Sequence, residues 1–372
     1  MKLLFVDFFL PYVLGDSDFP AGGWAIQLTS WIKGLRSLGH DVGVLTWKGA
    51  NAYVGKTVDF DLIETYDPAD GIRFLRNIYL RIPSLYRCAR EYNPDVIIQA
   101  TANASTGFMA LIARRLNKPF LYRLTSNVAA DGGYKNKLSF FIRAIHHYGL
   151  RNTDIFVCQN KYQLDNILKR YPRKMGCVIH NPFSPPGKNN GQCKDSRRYV
   201  AWIGIFKKEK NLKLLYEIAG KIGDIPIKIA GRRGNQVDPE TNEYLGKLRG
   251  CSNVEFVGYI SRKDINDFHN HSAALLNTSH YEGFSNTFLE SWNVGTPVIA
   301  PININPDNVI TDHNIGYVYA NDNEAVEELC KLWAMSSQDY TELGHTCRQY
   351  VSNHHSSEAI AKELIHQVQR II

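Results

Sequence analysis

Short apolar runs alternate with helical patterns along this chain, and the alternation happens twice. Residues 2–8, 41–46, 95–99, 118–124 and 154–159 are predicted strands, with helices expected at 22–35, 106–116, 137–150 and 161–169. A second series has strands at 199–203, 225–230, 254–257, 273–278 and 297–300, with helices at 212–222, 262–270 and 284–294. Strands separated by helices need crossover connections, so each series demands a parallel sheet with helices on both faces. Between the two series, residues 181–191 are dominated by Asn, Pro, Gly and Ser and read as a linker. The expected fold class is α/β: two Rossmann-like, doubly wound domains at 1–183 and 199–354, joined by a linker at 184–198. Two such domains suggest a cleft, with ligand outside the carboxyl ends of the strands. The length of 372 residues suits two domains.

Charge separates the halves. Residues 1–180 hold 23 Lys and Arg against 14 Asp and Glu, a balance of +9; residues 181–372 hold 20 against 22, or −2, and the two sum to +7. Within 101–180 the count is 13 against 3. Either an anionic partner or a solvated basic surface accounts for this. Two stretches, 73–81 and 135–148, mix cations with large apolar side chains and suit anionic lipid, unless Phe140, Phe141, Ile142 and Ile145 face the core. Neither nucleic-acid-binding nor P-loop motifs occur, and no nucleic-acid partner is expected. The seven cysteines are dispersed singly, which fits a reducing compartment, hence the cytoplasm, at or near the inner membrane face. No apolar run reaches the ~18 residues of a membrane span.

The segment that carries chemistry is 281–290, Tyr-Glu-Gly-Phe-Ser-Asn-Thr-Phe-Leu-Glu, after an apolar strand and before Gly295, Thr296 and Pro297. This is strand, loop, helix, strand. A helix starting near Ser285 and Asn286 offers backbone N–H groups and a positive dipole end to a diphosphate. Glu282 precedes that end. Glu290 follows by eight residues, slightly over two turns, so both carboxylates face the same side and suit sugar or ribose hydroxyls.

Glu282 and Glu290, with Gly283, Phe284, Gly295 and Pro297, resemble the E-x7-E signature of the family 4 retaining glycosyltransferases of GT-B fold. Gly22 and Gly23, then Gly39, His40, Asp41 and Val42, are similar to that family's first loop and turn. Residues 202–211 resemble its phosphate-binding segment, and 253–259 the stretch over the nucleotide base. The resemblance implies that Lys210 neutralises the donor diphosphate and that Glu290 binds ribose. Glu282 would then hold the transferred sugar. Gly22, Gly23, Gly204, Gly258, Tyr259, Gly283, Phe284, Ser285, Asn286 and Thr287 would complete the donor site. It implies a nucleotide-diphosphate sugar donor (UDP or GDP) and a glycan or lipid-linked saccharide acceptor. It also implies a front-face mechanism without a metal or other cofactor, and a last helix, 357–372, that crosses back to the first domain.

Two departures stand out. Where the family has an arginine after the first glycine of the 204 segment, this chain has Ile205, so Lys207, Arg232 or Arg233 must supply a second cation. A histidine common after the strand at 120–124 is replaced by Thr125, Ser126 and Asn127, leaving Ser126 and Asn127 as acceptor candidates. A catalytically impaired relative is the alternative that Ile205 supports. The D-x-D strings at 16–18 and 59–61 lack a metal-site context, and the pairs His146, His147 and His354, His355 read as surface residues.

Overall fold

The computed structural model describes residues 1–15, 22–72, 75–133, 138–185, 197–234 and 237–372. The D-x-D string at 16–18 lies outside them, as do residues 73–74 and 135–137 of the two cationic stretches. Two compact units emerge: Met1–Ser184 with His355–Ile372, and Pro185–His354.

The first unit holds seven strands: β1 Lys2–Val6, β2 Asp41–Thr46, β3 Asp61–Glu64, β4 Val96–Ala100, β5 Phe120–Arg123, β6 Ile155–Cys158 and β7 Met175–Val178. All are parallel, in the order β3-β2-β1-β4-β5-β6-β7. The inner strands β4, β5 and β6 are buried throughout, as a sheet covered on both faces requires. The last helix, Ser357–Gln369, packs on the helix Gly22–Ser37: Ile360, Ala361, Leu364 and Val368 share one core with Leu28, Trp31, Ile32 and Leu35. Gly34 permits this, because a Cβ there would lie 2.0 Å from the carbonyl oxygen of Ser357. Where the chain leaves and re-enters this unit, Phe183 N donates to His355 O at 2.8 Å and Ser357 Oγ to Phe183 O at 2.9 Å.

The second unit holds β8 Tyr199–Phe206, β9 Ile227–Arg233, β10 Val254–Gly258, β11 Ser272–Leu276, β12 Val298–Pro301 and β13 Gly316–Tyr319. The order is β10-β9-β8-β11-β12-β13, again parallel. The chain reverses direction across the sheet between β8 and β11, which opens a crevice at their carboxyl ends.

Two expectations need correction. His146 and His355 are buried, at 1% and 0% exposure, rather than on the surface. Desolvation lowers the His146 pKa to about 4, so its ring is neutral, and His355 Nδ1 lies 2.7 Å from the carbonyl oxygen of Asn181. Among the described residues, no helix is long and apolar enough to cross a membrane.

Candidate active site

Every element of the site in the second unit lies at the carboxyl ends of four neighbouring strands. Gly204 on β8 sits opposite Gly231 on β9. A Cβ on Gly231 would come within 2.0 Å of the Gly204 carbonyl oxygen, so only glycine lets the strands close here. A Cβ on Gly204 would meet Lys210 Cδ and Cε, both at 3.3 Å. The Lys210 stem therefore lies over bare backbone. Its ammonium pairs with Glu282 Oε1.

The turn that carries Lys210 is stapled to the loop that carries Glu282. Chain 208–210 forms a 3-10 turn, ended by Asn211 at φ 49°, whose side chain caps the next helix at Leu214 N, 3.3 Å. Thr278 Oγ1 donates to Lys210 O at 2.8 Å and accepts from Trp202 Nε1 at 3.0 Å. His280 N donates to Glu209 O at 2.9 Å, and Ser279 Oγ to Glu282 Oε1 at 3.0 Å. Trp202, Thr278, Ser279 and Gly231 were not singled out in the sequence. The signal for Gly231 was its place one strand over from Gly204; Thr278 and Ser279 gave none, being ordinary hydroxyls until the two loops meet.

The helix Asn286–Val294 follows. Ser285 occupies its N-cap with extended backbone, but the hydroxyl contacts Thr287 Oγ1 at 2.9 Å instead of capping the backbone. Gly295 at φ 90° ends it, and Trp292, fully buried, anchors it by donating from Nε1 to Ile315 O at 2.8 Å. Glu290 stands on the second turn, half-buried. Burial raises its pKa to about 7, with Arg262 pulling it down. Among the described residues its carboxylate has neither an ion pair nor a hydrogen bond. A half-buried carboxylate with no protein partner costs stability, and it suits a ligand's hydroxyl donors.

The remaining donor candidates divide. Arg232 pairs in register with Ile205, so it leaves the sheet on the same face, and its guanidinium lies 4.5 Å over the Tyr259 ring. Tyr259 follows Gly258, which ends β10 at φ 77°. Lys207 is exposed and contributes a backbone carbonyl to Lys210 N at 2.9 Å; its side chain makes no ion pair with a described residue. Gly283, Phe284, Ser285, Asn286 and Thr287 line the helix entrance.

In the first unit, Gly22 at φ 74° and Gly23 open the helix Gly22–Ser37. Ser126 is the N-cap of a short helix, Asn127–Asp131, without a capping side-chain bond. Asn127 Oδ1 accepts from Gln163 Nε2 at 3.1 Å and from Asn160 Nδ2 at 3.3 Å. Sequence reading missed Thr101, one residue past β4. This β-branched residue has φ 71°, a strained conformation held by Thr106 Oγ1 donating to its carbonyl at 3.2 Å and Asn103 Nδ2 to its hydroxyl at 3.1 Å. The part of the first edge formed by Thr101, Ser126 and Asn127 is thus a set of amides and hydroxyls, while Arg123 at the end of β5 is buried against the carbonyls of Cys158 and Ile179.

The chain matches two family descriptions: "Glycosyltransferase Family 4" over residues 21–185 and "Glycosyl transferases group 1" over residues 188–351. A GDP-mannose-dependent alpha-mannosyltransferase of Corynebacterium glutamicum is 21% identical over 317 residues, 78% of this chain and 71% of the relative. Among solved structures, Anabaena HepE in complex with UDP-glucose superposes with TM-score 0.77 at 14% identity, covering 100% of both chains. Sucrose-phosphate synthase of Thermosynechococcus elongatus gives 0.75 at 17% identity, covering 100% of this chain and 99% of that one. The shared fold is GT-B.

Proposed function

We propose that this chain, a glycosyltransferase of GT-B fold and family 4 type, moves a hexose-type sugar from a UDP- or GDP-sugar to a hydroxyl of a glycan or lipid-linked acceptor, with retention of configuration and without a metal. Cell-surface polysaccharide synthesis is the setting this chemistry suits. The observation that carries the reading is Lys210 fixed by Glu282 beside the Asn286–Val294 helix entrance, with Glu290 unpartnered behind it. Named relatives that use GDP-mannose and bind UDP-glucose support both donor options.

Breaking the sugar–phosphate bond builds negative charge on the leaving diphosphate. An ammonium and helix N–H groups stabilise that charge as it forms. Glu282 fixes the ammonium and accepts from sugar hydroxyls. Glu290, once ionised, accepts from ribose hydroxyls. Arg232, on the Ile205 face, supplies the second cation. The acceptor hydroxyl is received at the Thr101, Ser126 and Asn127 edge. A leaving oxygen held in place can take the acceptor proton on the same face of the sugar, so no carboxylate nucleophile is needed.

Ile205 favours one second reading, a chain that binds donor without transfer. A panel of UDP- and GDP-sugars, with and without chelator, tests both. Turnover with any donor that survives chelator supports the proposal. Binding without turnover supports the impaired reading, and no binding at all contradicts both.

A further inference from the structure

We propose that the amino edge of the first sheet, opposite the edge that carries Thr101, Ser126 and Asn127, binds an anionic polysaccharide through a row of unpaired cations. Strands β5, β6 and β7 are parallel neighbours, so the segments that enter them lie side by side. Each segment brings cations. Arg114, Arg115 and Lys118 precede β5, and Arg151 precedes β6; Lys169, Arg173 and Lys174 precede β7. Lys118 and Lys174 are half-buried and the others are exposed. Among the described residues, none of these side chains makes an ion pair or a hydrogen bond. The nearby acids do not offset them. Asp154 Oδ2 accepts from Phe120 N at 2.7 Å, and Asp165, one turn before Lys169, leaves that lysine unpaired. Arg170 is not part of the row, because it donates to Ala129 O and Ala130 O at 3.1 and 2.8 Å.

The helices that end at this edge are Ala104–Leu116, Phe140–Arg151 and Lys161–Arg170. Their crossovers step the same way across the sheet, so right-handedness sets all three on one face. The first two touch backbone to backbone: Cβ atoms at Gly107 and Gly149 would lie 2.2 Å from Ile145 O and 2.6 Å from Thr106 C. Tyr171 Oη, 2.7 Å from His147 Nδ1, ties the end of the third helix to the second. Two helix separations give the row a length of about 20 Å. Cations at helix carboxyl ends also steady the dipole. The second unit meets that need with paired lysines: Lys221, Lys247 and Lys331 lie in the last turns of their helices and bind Asp322, Glu243 and Glu328. In the first unit Lys118, Arg173 and Lys174 lie outside any helix. Among the described residues no carboxylate neutralises the row, and a ligand's anions can take that place.

The occupant follows from what the row lacks. Across segments 114–118, 151–154 and 169–175, Met175 is the one large apolar side chain that is exposed. The exposed rings of Phe140 and Phe141 stand at the carboxyl edge instead, where their helix begins. A protein partner needs apolar anchors at the centre of its interface, and a single-stranded nucleic acid needs rings on which to stack its bases. The row offers neither. A saccharide chain bearing carboxylate, phosphate or sulfate groups asks only for cations spread along its length. The choice of a saccharide rests on the transferase reading, which gives this chain a glycan product.

The test is titration calorimetry of the full chain with dextran sulfate and with neutral dextran of the same length. Dextran sulfate should bind, less tightly as salt rises, and neutral dextran should not. R114S/R115S/R173S should lower the affinity about tenfold, as loss of three exposed ion pairs does. R114K/R115K/R173K keeps the charge and should stay within about twofold of the wild type. K33S/K48S/K56S removes as many charges from exposed lysines away from the row and should also stay within about twofold. Each variant should keep the wild-type unfolding midpoint in urea. No binding, equal binding of the two dextrans, or equal losses in the two serine variants would each overturn the proposal, the last because net charge alone would then explain the affinity. So would oligothymidylate that displaces dextran sulfate at an equal or lower concentration of charge, which would make the row a nucleic-acid site. UDP or GDP binding by a chain that ignores dextran sulfate sinks the row and leaves the transferase reading standing.

Discussion

The two sheets share one strand order: β3-β2-β1-β4-β5-β6 in the first unit matches β10-β9-β8-β11-β12-β13 in the second, with β7 added. What differs is the chemistry at their carboxyl edges. The second unit sets formal charges there: Lys210, Glu282, Glu290 and Arg232. The first sets mainly amides and hydroxyls, Gln99, Thr101, Ser126, Asn127, Asn160 and Gln163; its charged groups, Asp7, Glu64 and the buried Arg123, are engaged by backbone groups of their own unit. The same topology thus offers one edge suited to a dianion and another suited to neutral hydroxyls. Function lies in the edge residues and not in the winding.

Charge at the second edge should dominate the rate. K210A is expected to lower kcat about 10²- to 10³-fold, as loss of one preorganised stabiliser of developing charge does, in steady-state assays with saturating donor. N127A should leave donor KM unchanged and raise acceptor KM, about tenfold, for one lost hydrogen bond to an uncharged partner. If both variants act on the donor, the contrast between the edges fails.

Packing gives the next effect. G231A forces a Cβ against the Gly204 carbonyl oxygen, and overpacking of this kind costs about 3 kcal/mol, read as a lower unfolding midpoint in urea.

Titration sharpens the comparison further. Glu290 is raised from 4.5 to about 7, so the folded chain holds this proton more tightly than the unfolded one. Its contribution to stability is therefore fullest below pH 4.5 and falls as pH rises to about 7. Ribose hydroxyls need the ionised form, so donor affinity should rise across neutral pH. E290Q should flatten that profile and weaken donor binding. Among the described residues the first edge has one buried acid, Asp7 just past β1, whose pKa burial raises to about 6, but its Oδ1 already accepts from Phe9 N at 2.7 Å.

The smallest effect is expected at Thr101. T101G relieves the positive φ and should raise stability by about 1 kcal/mol in the same urea assay, with loss confined to the acceptor side.

Much of this was legible in the sequence. Strands with long apolar runs, such as β4 and β11, stood out because both faces are covered. The strands left unread, β3, β7 and β13, are all sheet edges. An edge strand pairs on one side only, so β3 keeps charged ends and β7 a central glycine, and neither shows an uninterrupted apolar run. Lys210 and Glu282 were legible because flanking motifs frame them. Thr278, Ser279 and Trp202 were not, since their role depends on two loops 68 to 76 residues apart meeting. Thr101 was invisible because strain is a property of backbone angles, which no residue type announces.

Titration calorimetry of UDP and GDP into the wild-type chain and K210A tests the central claim most directly. One of the two nucleotides should bind the wild type at least tenfold more tightly than K210A, without added metal. Equal affinity for both proteins would contradict a diphosphate site built on the Lys210 ammonium.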